Sequence, residues 1–173
     1  MSKSHRKTNS EHWTKMVRNT MEEPAWQALS PVAQALYPWL KFEWHGPRNN
    51  NNGKINFSVR QAAQRLGVSV NTASRGFHDL QRKGFIVITE IGTLGHSGFA
   101  KSPKYELTEI TLPYGQQPAG RKLYKQWRKG NDFPVQKSRA NNPHGANGKR
   151  KILSQSEDND VIKLNTRSKC ASS

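Results

Sequence analysis

The stretch Ser58–Phe85, SVRQAAQRLGVSVNTASRGFHDLQRKGF, decides the fold. It reads as two helices joined by a tight turn. Ser58 caps a first helix carrying Val59, Ala62, Ala63 and Leu66 at helical spacing, and Gly67 supplies the left-handed residue that stops it. Ser69 caps the second, in which Val70, Ala73, Phe77 and Leu80 form an apolar stripe, and Gly84 stands where a helix C-terminus needs positive φ. At ~100° per residue, Asn71, Arg75, His78 and Arg82 fall on the opposite face, which has donors and no carboxylate. Gly76 sits mid-helix at a cost of about 1 kcal/mol relative to alanine. Close approach of another helix is the expected reason.

A short helix, a turn containing glycine, and a second helix with a polar, partly basic outer face is the helix-turn-helix pattern, whose second helix enters the major groove. The segment LGVSVNTASRGFHDLQRKGFI, Leu66–Ile86, resembles the winged-helix DNA-binding domains of bacterial regulators of the GntR and MarR type. The wider stretch from about Pro24 to Ile110, with PAWQALSP, ALY, NNGKI and SVRQAA, also resembles helix-turn-helix proteins of alphaproteobacteria and their plasmids. The resemblance implies a winged-helix fold. It does not carry over a base-reading pattern, because Val70 and Ser74 stand where many GntR-type domains have arginine, and Arg75 lies one position later.

Outward from this pair, FIVITEI (Phe85–Ile91) reads as a strand, GTLGHSGFAKSP (residues 92–103) as an acid-free loop, and KYELTEI (Lys104–Ile110) as the returning strand. Upstream, KINF (Lys54–Phe57) is long enough for one short strand, and GPRNNNNG (Gly46–Gly53) is a loop by composition. Ser30–Pro31 starts a helix running through Val32, Ala33, Leu36, Trp39 and Leu40. Pro38 inside it predicts a kink or a break, since an interior proline costs about 3 kcal/mol. Tyr37, Trp39, Phe42 and Trp44 are assigned to packing ahead of base stacking. EEPAWQAL (Glu22–Leu29) is a short helix, residues 11–21 are expected to pack on the domain or on a second subunit, and residues 1–10 form a mobile basic arm.

The order helix, short strand, helix, helix, strand, long loop, strand predicts an α+β winged helix: a three-helix core with a small antiparallel sheet and residues 92–103 as the wing. The divisions are an N-terminal arm at 1–21, the domain at 22–112 and a basic, mostly disordered tail at 113–173. Within the tail, RKLYKQWRK (Arg121–Lys129) pairs Leu123 and Trp127 at i, i+4, either as a short helix docked on the domain or on DNA, or as a loosely ordered segment. Residues 131–173 are expected to be largely disordered, with VIKL (Val161–Leu164) available as a short motif for a protein partner.

Of the 173 residues 33% are apolar and the formal charge is +16; mean hydropathy is −0.90. Residues 1–20 hold 5 Lys+Arg against 1 acid, residues 21–120 hold 10 against 7, and residues 121–173 hold 13 against 4. Most of the excess therefore lies outside the predicted domain. Such a balance points to a polyanion, most simply nucleic acid, because neutralising phosphates releases condensed counterions; a solvated tail is the plainer alternative. The lone cysteine, Cys170, excludes an internal disulfide and a cysteine-based metal site, and the first thirty residues lack an apolar signal region. No stretch approaches the ~20 apolar residues of a membrane span. A cytoplasmic, nucleoid-associated location without membrane contact is expected.

Asn71 matches the adenine N6/N7 edge and Arg75 the guanine O6/N7 edge, each pair being worth roughly 1–3 kcal/mol of discrimination. Their plain alternatives are a first-turn capping residue and a solvated arginine. Thr72 and Ser74 flank that face and suit phosphate or a thymine methyl, while Ser69 is a cap and a phosphate ligand. His78 lies one turn further along for a phosphate or base, against the reading of an ordinary surface histidine. Arg82 and Lys83 complement the negative helix end as well as DNA. Ser58 and Arg60 stand ready for the DNA backbone, and His96, Lys101 and Lys104 in the wing for the minor groove or adjacent phosphates, with a solvated hairpin as the alternative.

No Walker loop, dinucleotide fingerprint, HExxH or nucleophile elbow is present, and GTLGHSG lies between strands, the wrong context for a phosphate cradle. The six histidines never fall at metal-ligand spacing. No enzymatic activity, metal or cofactor is expected. The leading functional expectation is a sequence-specific double-stranded DNA-binding protein, a bacterial transcriptional regulator acting as a homodimer. The alternatives are a plasmid or mobile-element replication accessory factor, and a winged helix used for protein or RNA interaction.

Overall fold

Two serines set the helical pair at the centre of the molecule. In the computed structural model, which describes residues 12–94, 100–113, 115 and 119–137, Ser58 Oγ accepts from Gln61 N at 3.2 Å while Gln61 Oε1 accepts from Ser58 N at 2.9 Å. This reciprocal pair satisfies two orphan donors and starts a helix at Val59–Leu66. Gly67 ends it at φ 64°. Ser69 accepts from Thr72 N at 3.1 Å and starts a second helix at Val70–Arg82. Among the described residues three helices precede this pair, so in chain order the α-helices are α1 (Arg18–Met21), α2 (Pro24–Gln27), α3 (Pro31–Phe42), α4 (Val59–Leu66) and α5 (Val70–Arg82).

α3 is capped by Ser30 and runs unbroken through Pro38. The break does not occur: Gln34, whose carbonyl loses its partner to the proline, is only half-buried, while Ala33, Leu36, Tyr37 and Leu40 on the other side are buried in the core. α5 crosses α3 at Gly76, where a Cβ would fall 3.3 Å from Val32 Cγ1 and 3.4 Å from Leu36 Cδ2. The mid-helix glycine is thus a contact point between helices. Of the expected α5 stripe, Ala73, Phe77 and Leu80 are buried, but Val70, at the N-terminal end of the helix and away from the crossing, is 50% exposed.

The strands β1 (Ile55–Asn56), β2 (Ile86–Glu90) and β5 (Lys104–Leu107) form an antiparallel sheet in the order β1-β5-β2. β3 (Thr93–Leu94) and β4 (Ala100–Lys101) add a two-stranded hairpin, with Thr93 opposite Lys101. The register of β2 shifts between Ile88 and Glu90. Thr89, the extra residue, donates its hydroxyl to Gly53 O at 2.6 Å. Ile86, Ile88, Tyr105 and Leu107 belong to the same buried cluster as the helices, and Phe77 stacks on Tyr105 at 5.2 Å.

Asn52 ties the asparagine loop to this sheet. Its Oδ1 accepts from Leu107 N at 2.8 Å and its Nδ2 donates to Leu107 O at 3.0 Å and Ile110 O at 2.8 Å. The side-chain amide pairs with Leu107 as a strand residue would.

The packed unit extends past residue 112. Residues Leu123–Gln126 form a 3₁₀ turn instead of an α-helix over 121–129. With about three residues per turn, Tyr124 and Trp127 share the inner side, and both are buried while Leu123 is not. Tyr124 stacks on Phe85 at 4.8 Å, joining the mutually edge-on rings of Trp26, Tyr37 and Phe85. Residues 131–137, expected to be disordered, run extended along α5, with Phe133 N donating to Arg82 O at 2.8 Å. At the other end, α1 closes over the turn after β5. Glu109 there accepts from Lys41 (2.8 Å), Tyr37 (2.9 Å) and Thr20 (3.1 Å). Trp13, by contrast, is 81% exposed. Among the described residues no helix is long and apolar enough to cross a membrane.

Candidate nucleic-acid interface

α5 offers solvent a face of donors because its single acid is turned away. Asp79 Oδ2 accepts from Ser30 N at 2.7 Å, capping α3, and Oδ1 accepts from Lys83 Nζ at 2.8 Å. Burial pushes the Asp79 carboxyl up, but these bonds outweigh it and hold the group below its ordinary value of 3.8. The carboxylate that follows Arg75 by one turn is therefore neutralised within the fold. Asn71, Arg75 and Arg82 are exposed along the outer face, with Thr72 and Ser74 half-buried beside them.

Among the described residues five other acids are also ion-paired. Glu22 pairs with Arg18, Glu23 with Lys125, Glu90 with Lys104, Glu106 with Arg121 and Glu109 with Lys41. Arg60, Arg75, Arg82, Lys101 and Lys137 are exposed and make no ion pair among the described residues. Lys15, Arg48, Lys54, Arg65, Arg128 and Lys129 are exposed and without an ion pair among the described residues as well, so pairing sets Lys83 and Lys104 apart from the other candidates without by itself singling out one face. Lys104 sits 2.7 Å from Glu90 as part of the sheet, and Lys83 is buried between Asp79 and the Trp127 ring.

The serines act as caps. Ser69 Oγ lies 2.8 Å from Thr72 Oγ1 as well as accepting from its amide, so both hydroxyls are engaged with each other at the start of α5. Ser58 is engaged with Gln61, and Arg60 projects from the first turn of α4. Lys101 is exposed on β4, and His96 lies outside the described residues.

His78 is half-buried in a groove lined by Ser74, Phe77, Tyr105, Gln136 and Lys137. Burial holds its pKa below 6.5, and the charges of Lys137 and Arg82 lower it further. At neutral pH the ring is uncharged, offering one donor and one acceptor. Lys137 is the residue that sequence reasoning missed: it is one of 13 cations in the last third of the chain. The available signal was the spacing of Phe133 and Val135 in an otherwise polar segment, and both are half-buried.

Chemically, the arrangement presents a planar guanidinium and a carboxamide four residues apart on one helix, flanked by hydroxyls and cations. That set suits base edges within a line of phosphates. Comparison of the chain with protein-family models, with curated proteins and with solved structures found no match.

Proposed function

We propose that the chain is a winged helix-turn-helix protein that binds double-stranded DNA sequence-specifically, with α5 as the recognition helix and the β3–β4 hairpin as the wing, and that it regulates transcription in a bacterium. The element order, with the α4–α5 pair between β1 and the other strands of the β1-β5-β2 sheet, supports the fold reading. The observation that carries the functional reading is the exposed Asn71–Arg75–Arg82 face with Asp79 withdrawn into bonds to Ser30 and Lys83. These two bonds have a structural role of their own, and they also leave the outer face of α5 without a free carboxylate, which suits a helix entering a groove lined by phosphates.

In this reading Arg75 makes a bidentate contact to guanine and Asn71 to adenine, while Arg60 and Lys101 neutralise phosphates on either side. Ser58 and Ser69 hold the two helix starts, with their hydroxyls secondary phosphate ligands. The test is selection of bound duplexes from a random pool with the full chain and with Arg75→Ala, at two salt concentrations. The expected outcome is a consensus whose preference over random duplex falls about 5- to 150-fold in the variant, the equivalent of roughly 1–3 kcal/mol. An inverted repeat in that consensus indicates a homodimer. Binding without any preferred sequence overturns the proposal.

A further inference from the structure

The segment Asn131–Lys137 turns back along α5 and does not leave the domain there. Trp127 Nε1 donates to Asp132 Oδ1 at 2.8 Å, Phe133 N donates to Arg82 O at 2.8 Å, and Gln136 N donates to Gln81 Oε1 at 3.0 Å. The Phe133 ring lies over Gly84, where a Cβ would meet it at 2.8 Å. Pro134 has no amide hydrogen to leave unpaired and keeps φ restricted. These anchors define a direction: residue 133 is at the C-terminal end of α5, and Lys137 lines the groove beside Ser74 and His78, in the middle of the helix. Lys137 is exposed and makes no ion pair among the described residues.

We propose that Asn131–Lys137 is a second element of the interface, a strap bound along α5 that holds the Lys137 ammonium beside the helix to neutralise a phosphate of the duplex α5 enters. The proposal rests on the reading of α5 as a recognition helix. An ammonium is a compact point charge that takes a phosphate without bidentate geometry, so Lys137 strengthens binding to every sequence while Asn71 and Arg75 do the reading. Attachment of the strap to Arg82 and Gln81 also makes the position of this charge a property of the fold. A lysine on a free chain has no such placement.

The experiment compares the full chain with Lys137→Gln, Arg75→Ala and a control, Lys129→Gln. Lys129 is also exposed but lies two residues past Trp127, whose ring is under Lys83 at the C-terminal end of α5. Thermal unfolding checks that all fold alike. Binding to the selected duplex and to a scrambled one is followed by fluorescence anisotropy as salt is raised. Lys137→Gln should weaken both duplexes several-fold and by the same factor, and reduce the log–log salt slope by about 0.9; Lys129→Gln should change the slope by roughly a third of that or less. Equal slopes for the two lysine variants, with Arg75→Ala still lowering discrimination, overturn the strap alone. Loss of any sequence preference in the parent chain overturns the strap together with the reading of α5.

Discussion

Asp79 performs two tasks with two oxygens, one capping α3 through Ser30 N and the other pairing with Lys83. Its carboxyl is held below the ordinary range, so its contribution to stability is complete above pH about 4 and is lost as pH falls through the lower folded-state value. Asp79→Asn should therefore lower stability near neutrality by about 1 kcal/mol, since the pair is partly screened by solvent. Urea unfolding from pH 6 to roughly 2.5 should show this gap close on the acid side. A gap constant with pH would refute the role of the charge. Asn52 illustrates how little a single residue reveals in sequence. Within a run of four asparagines it is the fully buried one, and only the position of Leu107, 55 residues away, selects it.

At the scale of elements, the crossing of α3 and α5 is what orients the outer face of α5. Gly76 was legible as a point of close approach because a glycine in a well-formed helix otherwise only costs stability. The partner helix was not legible, since many apolar stripes could fill that role. Gly76→Val should push against Val32 and Leu36 and destabilise the protein by about 1–3 kcal/mol in chemical unfolding. Unchanged stability would mean that the crossing is looser than the 3.3 Å spacing indicates. Pro38 shows the reverse case: a local rule predicted an interruption, and burial of Leu36, Tyr37 and Leu40 on the same helix outweighed it. The 3₁₀ turn at Leu123–Gln126 is a further example, as its geometry follows from which ring, Tyr124, reaches Phe85.

At the scale of the molecule, the boundary drawn from composition at residue 112 divides what packs together. Tyr124 and Trp127 belong to the central buried cluster, and removing a buried aromatic side chain typically costs about 3–5 kcal/mol out of a domain stability of roughly 5–15 kcal/mol. A chain ending at residue 120 should accordingly lose its cooperative thermal transition, whereas one ending at residue 137 should keep it. Circular dichroism melts of the two distinguish this from a dispensable tail, for which both would melt alike. The charge pattern follows the same division. Within the packed unit most of the acids are held in ion pairs, several of which join distant segments, while exposed cations on α4, α5, β4 and the strap, among others, are left unpaired among the described residues.

The two helices at Val59–Leu66 and Val70–Arg82, with their serine caps and the Gly67 stop, were determined by the sequence itself, because capping and 3.6-residue periodicity act between residues a few positions apart. The strand Ile86–Glu90 was legible for the same reason, through alternation, and Lys104–Leu107 as the run that returns after the loop. The burial of Asn52, the neutralisation of Asp79, the docking of Tyr124 and Trp127 and the return of Asn131–Lys137 along α5 were decided by tertiary structure alone. Each depends on a partner that lies far along the chain or on a segment too short to carry a period, and burial against that partner supplies the free energy that local preference does not.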